Sequence, residues 1–412
     1  MKVALFAPVP PEKSGIADYM ALLLPALCER TDLTVVKRGA KRAPRGTDLC
    51  VYHVGNDPAV HGWIVEALRH EPGLVVLHDF VLHHLVAGLT LGRSDAVGYL
   101  AALEREGGLA ARLLGHGVME QRIPPLWETR AIDLPLAHVI LDHATALVVH
   151  SHYVAGRARG AGYEGPIDVI PHPAWAVPAV APAAVEGAPL VASFGNLNAS
   201  KRAPQLLEAF ARVRATHAEA RLLFVGREAA GFDLPRRLQR LGLGAEGIEL
   251  TGYVDEARLW ALMARADVHV NLRHPTMGET SGTAIRALSL GKPLIVSDVG
   301  WFAELPDDVA LKVAVDGHEV DTLAAALELL VARPDVRAAM GGHAAALARG
   351  PLAVERVAER QVAAFERAAG GAWVADEVLG EVSVAAAAVG IEPGSDETRD
   401  LARRLSEVNL GA

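Results

Sequence analysis

The sequence of 412 residues has little cysteine and no long uncharged hydrophobic run. Cys28 and Cys50 are its only cysteines, which excludes a disulfide framework and favours a reducing compartment. No stretch of about 18 or more uncharged apolar residues occurs, so no segment has the composition of a membrane-spanning helix. We therefore expect a cytoplasmic protein.

The sequence also lacks an excess of positive charge and two common phosphate-site motifs. Its 49 acidic and 40 basic residues give a net charge of −9, which argues against nucleic acid as the main partner. A Gly-x-x-x-x-Gly-Lys-Ser/Thr loop is absent, so P-loop ATP hydrolysis is poorly supported. An Asp-x-Asp pair that could hold a metal against a diphosphate is absent as well. We predict no metal site and no cofactor.

One local exception to the charge balance is the basic segment VKRGAKRAPRG at residues 36–46. Such a run could contact an anionic membrane or an acidic acceptor glycan. It is more often a solvated loop, so peripheral membrane contact is one of three open interpretations.

The chain does contain two series of short apolar runs that alternate with helical patterns, over a length sufficient for two domains. The first series comprises residues 2–8, 33–38, 48–54, 73–79, 146–151 and 167–172. The second comprises residues 189–196, 220–226, 248–254, 266–272, 293–298 and 309–315. Continuous apolarity is typical of parallel strands covered on both faces, and the alternation predicts an α/β protein with two doubly wound sheets.

Domain boundaries follow from the composition between and after these series. The aperiodic segment PAWAVPAVAPAAVEGA (173–188) contains three prolines and is interpreted as a linker. We predict an N-terminal domain over 1–175 and a C-terminal domain over 186–350. The remainder, 351–412, is predicted to hold an amphipathic helix at 353–369 and an acidic helical tail.

Ligands of doubly wound domains bind in loops at the carboxyl ends of strands, and two such loops of the first domain carry candidate residues. In PPEKSGIADY (10–19), Ser14 and Gly15 precede a helix whose free N–H groups suit a phosphate or an incoming hydroxyl. The alternative is an ordinary turn capped by Ser14. In LHDFVLHH (77–84), His78 ends a strand and could hydrogen-bond a sugar hydroxyl, whereas a lone histidine is usually structural.

Two loops of the second domain have the chemistry of an anion site. FGNLNASKRAPQLLEAF (194–210) delivers Lys201 and Arg202 just before a helix, as a diphosphate clamp would, or as a solvated basic turn. In HPTMGETSGTAIRALSLGKPLIVSD (274–298), backbone N–H groups open a helix after Glu279, whose carboxylate can accept hydrogen bonds from sugar hydroxyls.

Six motifs, taken together, carry a resemblance to a known family. They are PPEKSGIADY, VLHDF, VIPHP, FGNLNASKR, LTGYV and GETSGTAIRALSLGKPLIVSD. By their order and spacing, residues 1–365 resemble the retaining glycosyltransferases of family 4. The resemblance implies the GT-B fold, in which two Rossmann-like domains face each other across a cleft. It also implies a nucleotide-diphospho-sugar donor on the C-terminal domain, an acceptor on the N-terminal domain, and a last helix that crosses back to the first domain.

The resemblance assigns roles to individual positions. Gly15 would lie against the donor phosphate or the acceptor, His78 would contact the transferred sugar, and Lys201 would bind phosphate. The backbone of Gly252 and Tyr253 would hold the nucleobase.

The same resemblance assigns the phosphate cap to the loop of Thr280, Ser281 and Gly282. The family's two glutamates align with Gly278 and Arg286, and Glu279 could fill the first role from one position away. Arg286 cannot fill the second role, because a guanidinium donates hydrogen bonds and cannot accept those of a ribose.

A further departure lies after the first strand of the second domain, where the family's arginine is replaced by Asn196 and Arg202 is a candidate substitute. Three hypotheses for Arg286 are open. It meets an anionic group of the donor or acceptor, or it forms an ion pair with Glu279, or donor binding is lost and the protein is a regulatory partner. The retained Lys201, Arg202 and His78 speak against the last.

The sequence therefore predicts a metal-independent retaining transferase that moves a sugar to a hydroxyl of a glycan, lipid-linked or small-molecule acceptor. Attack on the face of the leaving group needs no protein nucleophile, and His78 and Glu279 would hold the sugar. Lys201, Arg202 and the helix start at 280–282 would stabilise the leaving diphosphate. The alternatives are a GT-B nucleotide-sugar epimerase, which needs carboxylates aimed at the sugar ring, and a non-catalytic glycosyltransferase-like partner protein.

Overall fold

The computed structural model describes residues 1–198, 200–229, 232–242, 247–370 and 372–407 and contains two parallel sheets. Strands β1–β6 of the first sheet are Lys2–Phe6, Asp32–Val35, Leu49–Val54, Gly73–Leu77, Ala144–Val149 and Ile167–Val169. Strands β7–β12 of the second are Leu190–Phe194, Arg221–Val225, Ile248–Leu250, Val268–Asn271, Leu294–Ser297 and Ala310–Val313. Each predicted apolar run is confirmed as a strand, in the predicted order.

Helices flank both sheets. In chain order, α1–α17 are Gly15–Cys28, Pro58–His70, His83–Leu89, Ala96–Met119, Leu126–Thr129, His138–Leu141, His152–Gly160, Ala203–Thr216, Leu234–Arg240, Glu256–Arg265, Gly282–Ser289, Gly300–Ala303, Glu319–Ala332, Pro334–Arg349, Val354–Gly370, Ala372–Ala388 and Asp396–Glu407. Side-chain caps fix several starts, since Ser14 Oγ accepts from Ala17 N at 3.0 Å and Asp57 Oδ1 from Ala59 N at 2.8 Å.

The strand order places the two expected ligand sites. It is β2-β1-β3-β4-β5-β6 in the first sheet and β12-β11-β10-β7-β8-β9 in the second. The direction of winding therefore reverses between β1 and β3, and again between β7 and β10. Ligands of such sheets bind in the crevice at the carboxyl ends of the strands beside the reversal. The loops after β1, β3, β7 and β10 are thus the places to find a site.

Burial explains why the sheets form and where the last long helix packs. Every residue of β3 and β4 is buried, as expected for central strands covered by helices on both faces. Helix α15 buries Val357 and Phe365 in the same cluster as Met20 of α1. Gln361 Nε2 donates to the hydroxyl of Tyr19 at 2.5 Å, so α15 is tied to the first domain.

Two observations bear on contact with a membrane. The basic segment 36–46 contains no helix or strand, and most of its residues are exposed. Within the described residues, no helix is both long enough and apolar enough to cross a membrane.

Candidate active site

A cavity of about 710 Å³ lies between the carboxyl ends of the two sheets. Both domains line it, through the start of α1 and the loops after β3 and β4 on one side and the start of α11 on the other. The predicted site residues that line it are Gly15, His78, Glu279, Thr280, Gly282 and Arg286. Those that do not are Asn196, Lys201, Arg202, Gly252, Tyr253 and Ser281.

Helix α11 presents its positive end to this cavity. Ser281 Oγ caps the helix by accepting from Ala284 N at 3.3 Å, and Asn271 Nδ2 donates to the same oxygen at 3.0 Å. Thr280 Oγ1, one residue earlier, is buried and has no hydrogen-bond partner within the part of the chain that the structure describes. A helix N-terminus beside an unsatisfied hydroxyl is suited to an anion, because both provide donors in a poorly hydrated place.

Arg286 lies on the cavity side of α11 and is buried. Its guanidinium carbon is 3.8 Å from the centre of the Trp175 ring and 5.6 Å from that of Trp260. Nη2 is 3.7 Å from Glu256 in its own domain and 4.0 Å from Asp18 of α1 in the first domain. Burial lowers the pKa of Arg286, and none of the described residues forms a hydrogen bond with its Nε.

Glu279 is engaged inside its own loop. Oε2 accepts from Met277 N at 2.7 Å and from Thr276 Oγ1 at 3.1 Å, while Oε1 is 2.9 Å from Arg273 Nε. The hypothesis that Arg286 pairs with Glu279 is therefore wrong, because the carboxylate of Glu279 pairs with Arg273 instead. The predicted contact of Glu279 with a sugar stays a prediction.

His78 is the middle ring of a chain of three histidines. His150 Nδ1 is 2.8 Å from the carbonyl oxygen of Ile170, and its Nε2 is 3.3 Å from His78 Nδ1. His78 Nε2 is in turn 3.0 Å from His53 Nδ1. A carbonyl only accepts, so His150 Nδ1–H donates to it, His78 Nδ1–H donates to His150, and His53 Nδ1–H donates to His78.

Burial keeps these rings neutral. It lowers the pKa of His53 to about 3 and of His150 to about 4, and it lowers the pKa of His78 well below its ordinary value. The neighbouring histidines act in the same direction for His53 and His78. Both ring nitrogens of His78 are therefore occupied by hydrogen bonds to the neighbouring histidines. In this arrangement, His78 can meet a sugar only with its ring face or its carbon edge.

Several residues that the fold brings to this cavity were not predicted from the sequence. Tyr19 lies against the histidine chain, with its ring centre 4.8 Å from that of His78 and 5.0 Å from that of His172. His150 directly follows β5 and His172 follows β6, so both stand at carboxyl ends of strands. The recurrence of histidine at strand ends, in YHV, LHD, VHS and PHP, is the signal that could have found them.

Asp79 is a further missed residue of the cavity wall. Its Oδ2 accepts from Asn56 N at 2.9 Å. Burial raises the pKa of this carboxyl to about 7, and the negative charge of Glu279 adds to the rise. Asp79 is therefore a carboxyl that changes charge near neutral pH, at the end of the cavity where the two domains meet.

Lys201 and Arg202, the two residues of the predicted diphosphate clamp, both make contacts within the second domain. Lys201 Nζ donates to the carbonyl of Phe194 at 2.6 Å, and burial with a nearby positive Arg273 lowers its pKa to about 7. Arg202 instead makes a two-pronged pair with the buried carboxylate of Glu319, with Nε 2.8 Å from Oε1. That ion pair keeps the side chain of Arg202 within the second domain.

The remaining predicted donor residues lie at the surface of the second domain. Asn196 is exposed and Tyr253 is 74% exposed, with the guanidinium of Arg227 5.2 Å from the centre of the Tyr253 ring. Gly252 has a φ of +71°, in the region that favours glycine. Their contacts with a nucleotide stay predictions. Among the described residues, no group of three or more His, Cys, Asp and Glu side chains is arranged to hold a metal ion.

Comparison with known proteins bears directly on the domain that carries α11. Residues 188–333 match the family model described as Glycosyl transferases group 1. The match lies within the second domain. A search of curated proteins found no significant match to the chain.

Solved structures extend the similarity to the fold of both domains. Sucrose-phosphate synthase from Thermosynechococcus elongatus is 16% identical, with a TM-score of 0.60 over 89% of this chain and 99% of that one. Anabaena Alr3699/HepE in complex with UDP-glucose is 15% identical, with a TM-score of 0.58 over 89% and 100%. AviGT4, a glycosyltransferase involved in avilamycin A biosynthesis, is 18% identical, with a TM-score of 0.51 over 90% and 98%. The two facing sheets and their cleft have the GT-B fold, as predicted.

Proposed function

We propose that this protein is a retaining, metal-independent glycosyltransferase that takes a sugar from a nucleotide-diphospho-sugar, with UDP as the favoured nucleotide. The observation that carries the proposal is the start of α11. There Thr280 Oγ1 and Arg286 Nε are buried donors that find no partner among the described residues, beside a cavity large enough for a nucleotide-sugar. The diphosphate supplies the acceptor oxygens that both lack. The choice of UDP is supported by Anabaena HepE, whose structure contains UDP-glucose.

In the proposed reaction, the bond between the anomeric carbon and the diphosphate oxygen breaks while the acceptor oxygen bonds on the same face. The acceptor's proton passes to the leaving diphosphate. Negative charge that develops on the diphosphate meets the α11 N-terminus, Thr280 and Arg286, which are already oriented and need no solvent to rearrange. The acceptor hydroxyl, of a glycan, a lipid-linked or a small-molecule acceptor, would approach from the wall that contains Asn56 and Asp79.

Thermal-shift measurements with UDP-, GDP-, ADP- and dTDP-sugars, all in EDTA, test the donor site. We expect UDP-sugars to raise the melting temperature, and Thr280→Val to remove most of that rise. Thr322→Val, on an exposed face of α13, is the matched control and should keep it. NMR of the anomeric proton in donor and product then tests retention. Folded protein that no nucleotide-sugar stabilises would contradict the proposal.

A further inference from the structure

A carboxylate of the second domain satisfies the start of a helix in the first domain. Glu304, which follows α12, accepts from His152 N at 2.9 Å with Oε2 and from Tyr153 N at 2.6 Å with Oε1. Ser151 already caps α7 by accepting from Val154 N at 3.2 Å. Glu304 therefore takes the two N–H groups that the local cap leaves free, where a negative charge is stabilising.

A second contact joins the domains through backbone alone. The carbonyl of Met277 accepts from Phe80 N and Val81 N, both at 3.0 Å. The next residue, Gly278, has a φ of +81°, and a Cβ there would lie 2.8 Å from Phe80 Cβ and 3.2 Å from Val154. The first domain thus occupies the space of a side chain at 278. This accounts for glycine at the position where the resemblance leads one to expect glutamate.

Both contacts bear on the wall of the cavity. Met277, whose carbonyl meets the first domain, also donates its N–H to Glu279 at 2.7 Å. Thr276 donates to the same carboxylate at 3.1 Å, and Gly300 at the start of α12 packs so closely on Thr276 that a Cβ would lie 3.0 Å from its hydroxyl. The loop 276–280 is therefore fixed at once by the first domain and by α12, the helix that precedes Glu304.

We propose that Glu304 and Gly278 are positioning residues, which dock the loop 276–280 onto the first domain and so bring Glu279 and Thr280 to face His78 and Asp79. The inference rests on the proposed function for its effect on turnover, although the docking itself does not. The two contacts act as one unit, because Glu304 and Met277 bind neighbouring parts of the first domain and both brace the same loop.

Hydrogen exchange tests the docking without any substrate. In Glu304→Ala, we expect the amides of Phe80 and Val81, which Glu304 does not touch, to exchange at least about tenfold faster, because the local opening free energy falls. Asp307→Asn is the control, since Asp307 is exposed and its ion pair is with Lys312 of its own domain. Faster exchange confined to His152 and Tyr153 would reduce Glu304 to a local helix cap and overturn the inference.

Turnover tests the consequence for the site. Gly278→Ala should slow UDP release from UDP-sugar by about 100-fold, the cost of a small misplacement of reacting groups. UDP binding should weaken by a smaller factor, because of the donor contacts only the one made by Thr280 moves with this loop. Gly342→Ala, in α14 with open space around the new methyl group, is the matched control. Unchanged turnover with faster exchange in Gly278→Ala would contradict the positioning role. Absence of UDP binding and turnover in the unaltered protein would instead defeat the proposed function and leave the exchange test standing.

Discussion

The guanidinium carbon of Arg286 lies 3.8 Å from the centre of the Trp175 ring. This contact packs helix α11 of the second domain against the segment that joins the two domains. A guanidinium is planar and weakly hydrated, so an aromatic face offsets part of the cost of burying its charge. The arginine that replaces an expected glutamate is therefore held against an aromatic ring, with Asp18 and Glu256 within 4.0 Å of its Nη2 and no partner for its Nε among the described residues.

Replacing Arg286 with lysine separates charge from shape. Lysine keeps the positive charge but loses the plane that stacks on Trp175 and the Nε donor. We expect Arg286→Lys to lower the free energy of unfolding by about 1–2 kcal/mol. We also expect the variant to lose most of the stabilisation by UDP. Urea unfolding with and without UDP measures both effects. Arg212→Lys, an exposed arginine of α8, should change neither. An Arg286→Lys protein with unaltered UDP stabilisation would show that charge alone suffices.

The neutral histidines predict a loss of stability in mild acid. In the unfolded chain, these rings take up protons below about pH 6.5, whereas burial keeps the pKa of His150 at about 4 and of His172 at about 3 in the folded state. Stability is therefore fully present above pH 6.5 and falls as the pH drops toward 4, by up to about 1.4 kcal/mol per pH unit for each histidine.

Urea unfolding at pH 7.5 and pH 5 measures this slope, and His150→Gln should reduce it. His70→Gln, at the exposed end of α2, should leave it unchanged. Nitrogen-15 NMR should find Nδ1–H tautomers at His53, His78 and His150. A different tautomer at His78 would disprove the direction that the Ile170 carbonyl imposes on the chain.

Lys201 is predicted to lower the stability of the fold at neutral pH while it contributes to donor binding. Its pKa is about 7 in the folded protein against 10.5 in the unfolded chain, so the buried charge destabilises the fold below pH 7 and the penalty disappears as the pH rises toward 10.5. Lys201→Met should therefore raise the free energy of unfolding at pH 7 and flatten its rise between pH 7 and pH 9. Donor affinity should fall in the same variant. Lys312→Met, which removes a partly exposed lysine of β12, serves as the control for the pH slope. An unchanged slope in Lys201→Met would place the titration elsewhere.

The pair of Arg202 and Glu319 predicts a structural rather than a ligand-binding role for Arg202. Glu319 is 3% exposed, and Glu319→Gln would leave a guanidinium opposite a neutral amide. We expect a loss of about 3 kcal/mol in the free energy of unfolding, because a buried pair that loses one charge leaves the other uncompensated. Glu328→Gln, which alters the half-exposed partner of His217, should cost less than about 1 kcal/mol. Unchanged UDP affinity of the folded protein would fit this role, whereas a loss of affinity would restore Arg202 to the donor site.

Local sequence patterns determined the strands, because each apolar run is short, continuous and bounded by turn residues. Such a run is buried best as a strand of a parallel sheet that helices cover on both faces. They also determined the start of α11, where Ser281 caps the helix through a bond only three positions long. The positions of His78, Glu279 and Thr280 at the cavity followed from the rule that sites lie at the carboxyl ends of strands. These features depend on neighbours in the chain, so the chain alone reports them.

The partners of the charged residues were decided by the tertiary structure. Arg202 and Glu319 are 117 positions apart, and nothing local marks either as the other's partner. Gly278 meets Phe80 only because the domains dock, and His53, His78, His150 and His172 meet only because parallel strands align their carboxyl ends. Composition, order and caps by themselves established two doubly wound domains and the loops that face the cleft. Which charges remain free for a ligand depended on long-range packing, since an ion pair or a buried ring is set by geometry between distant segments.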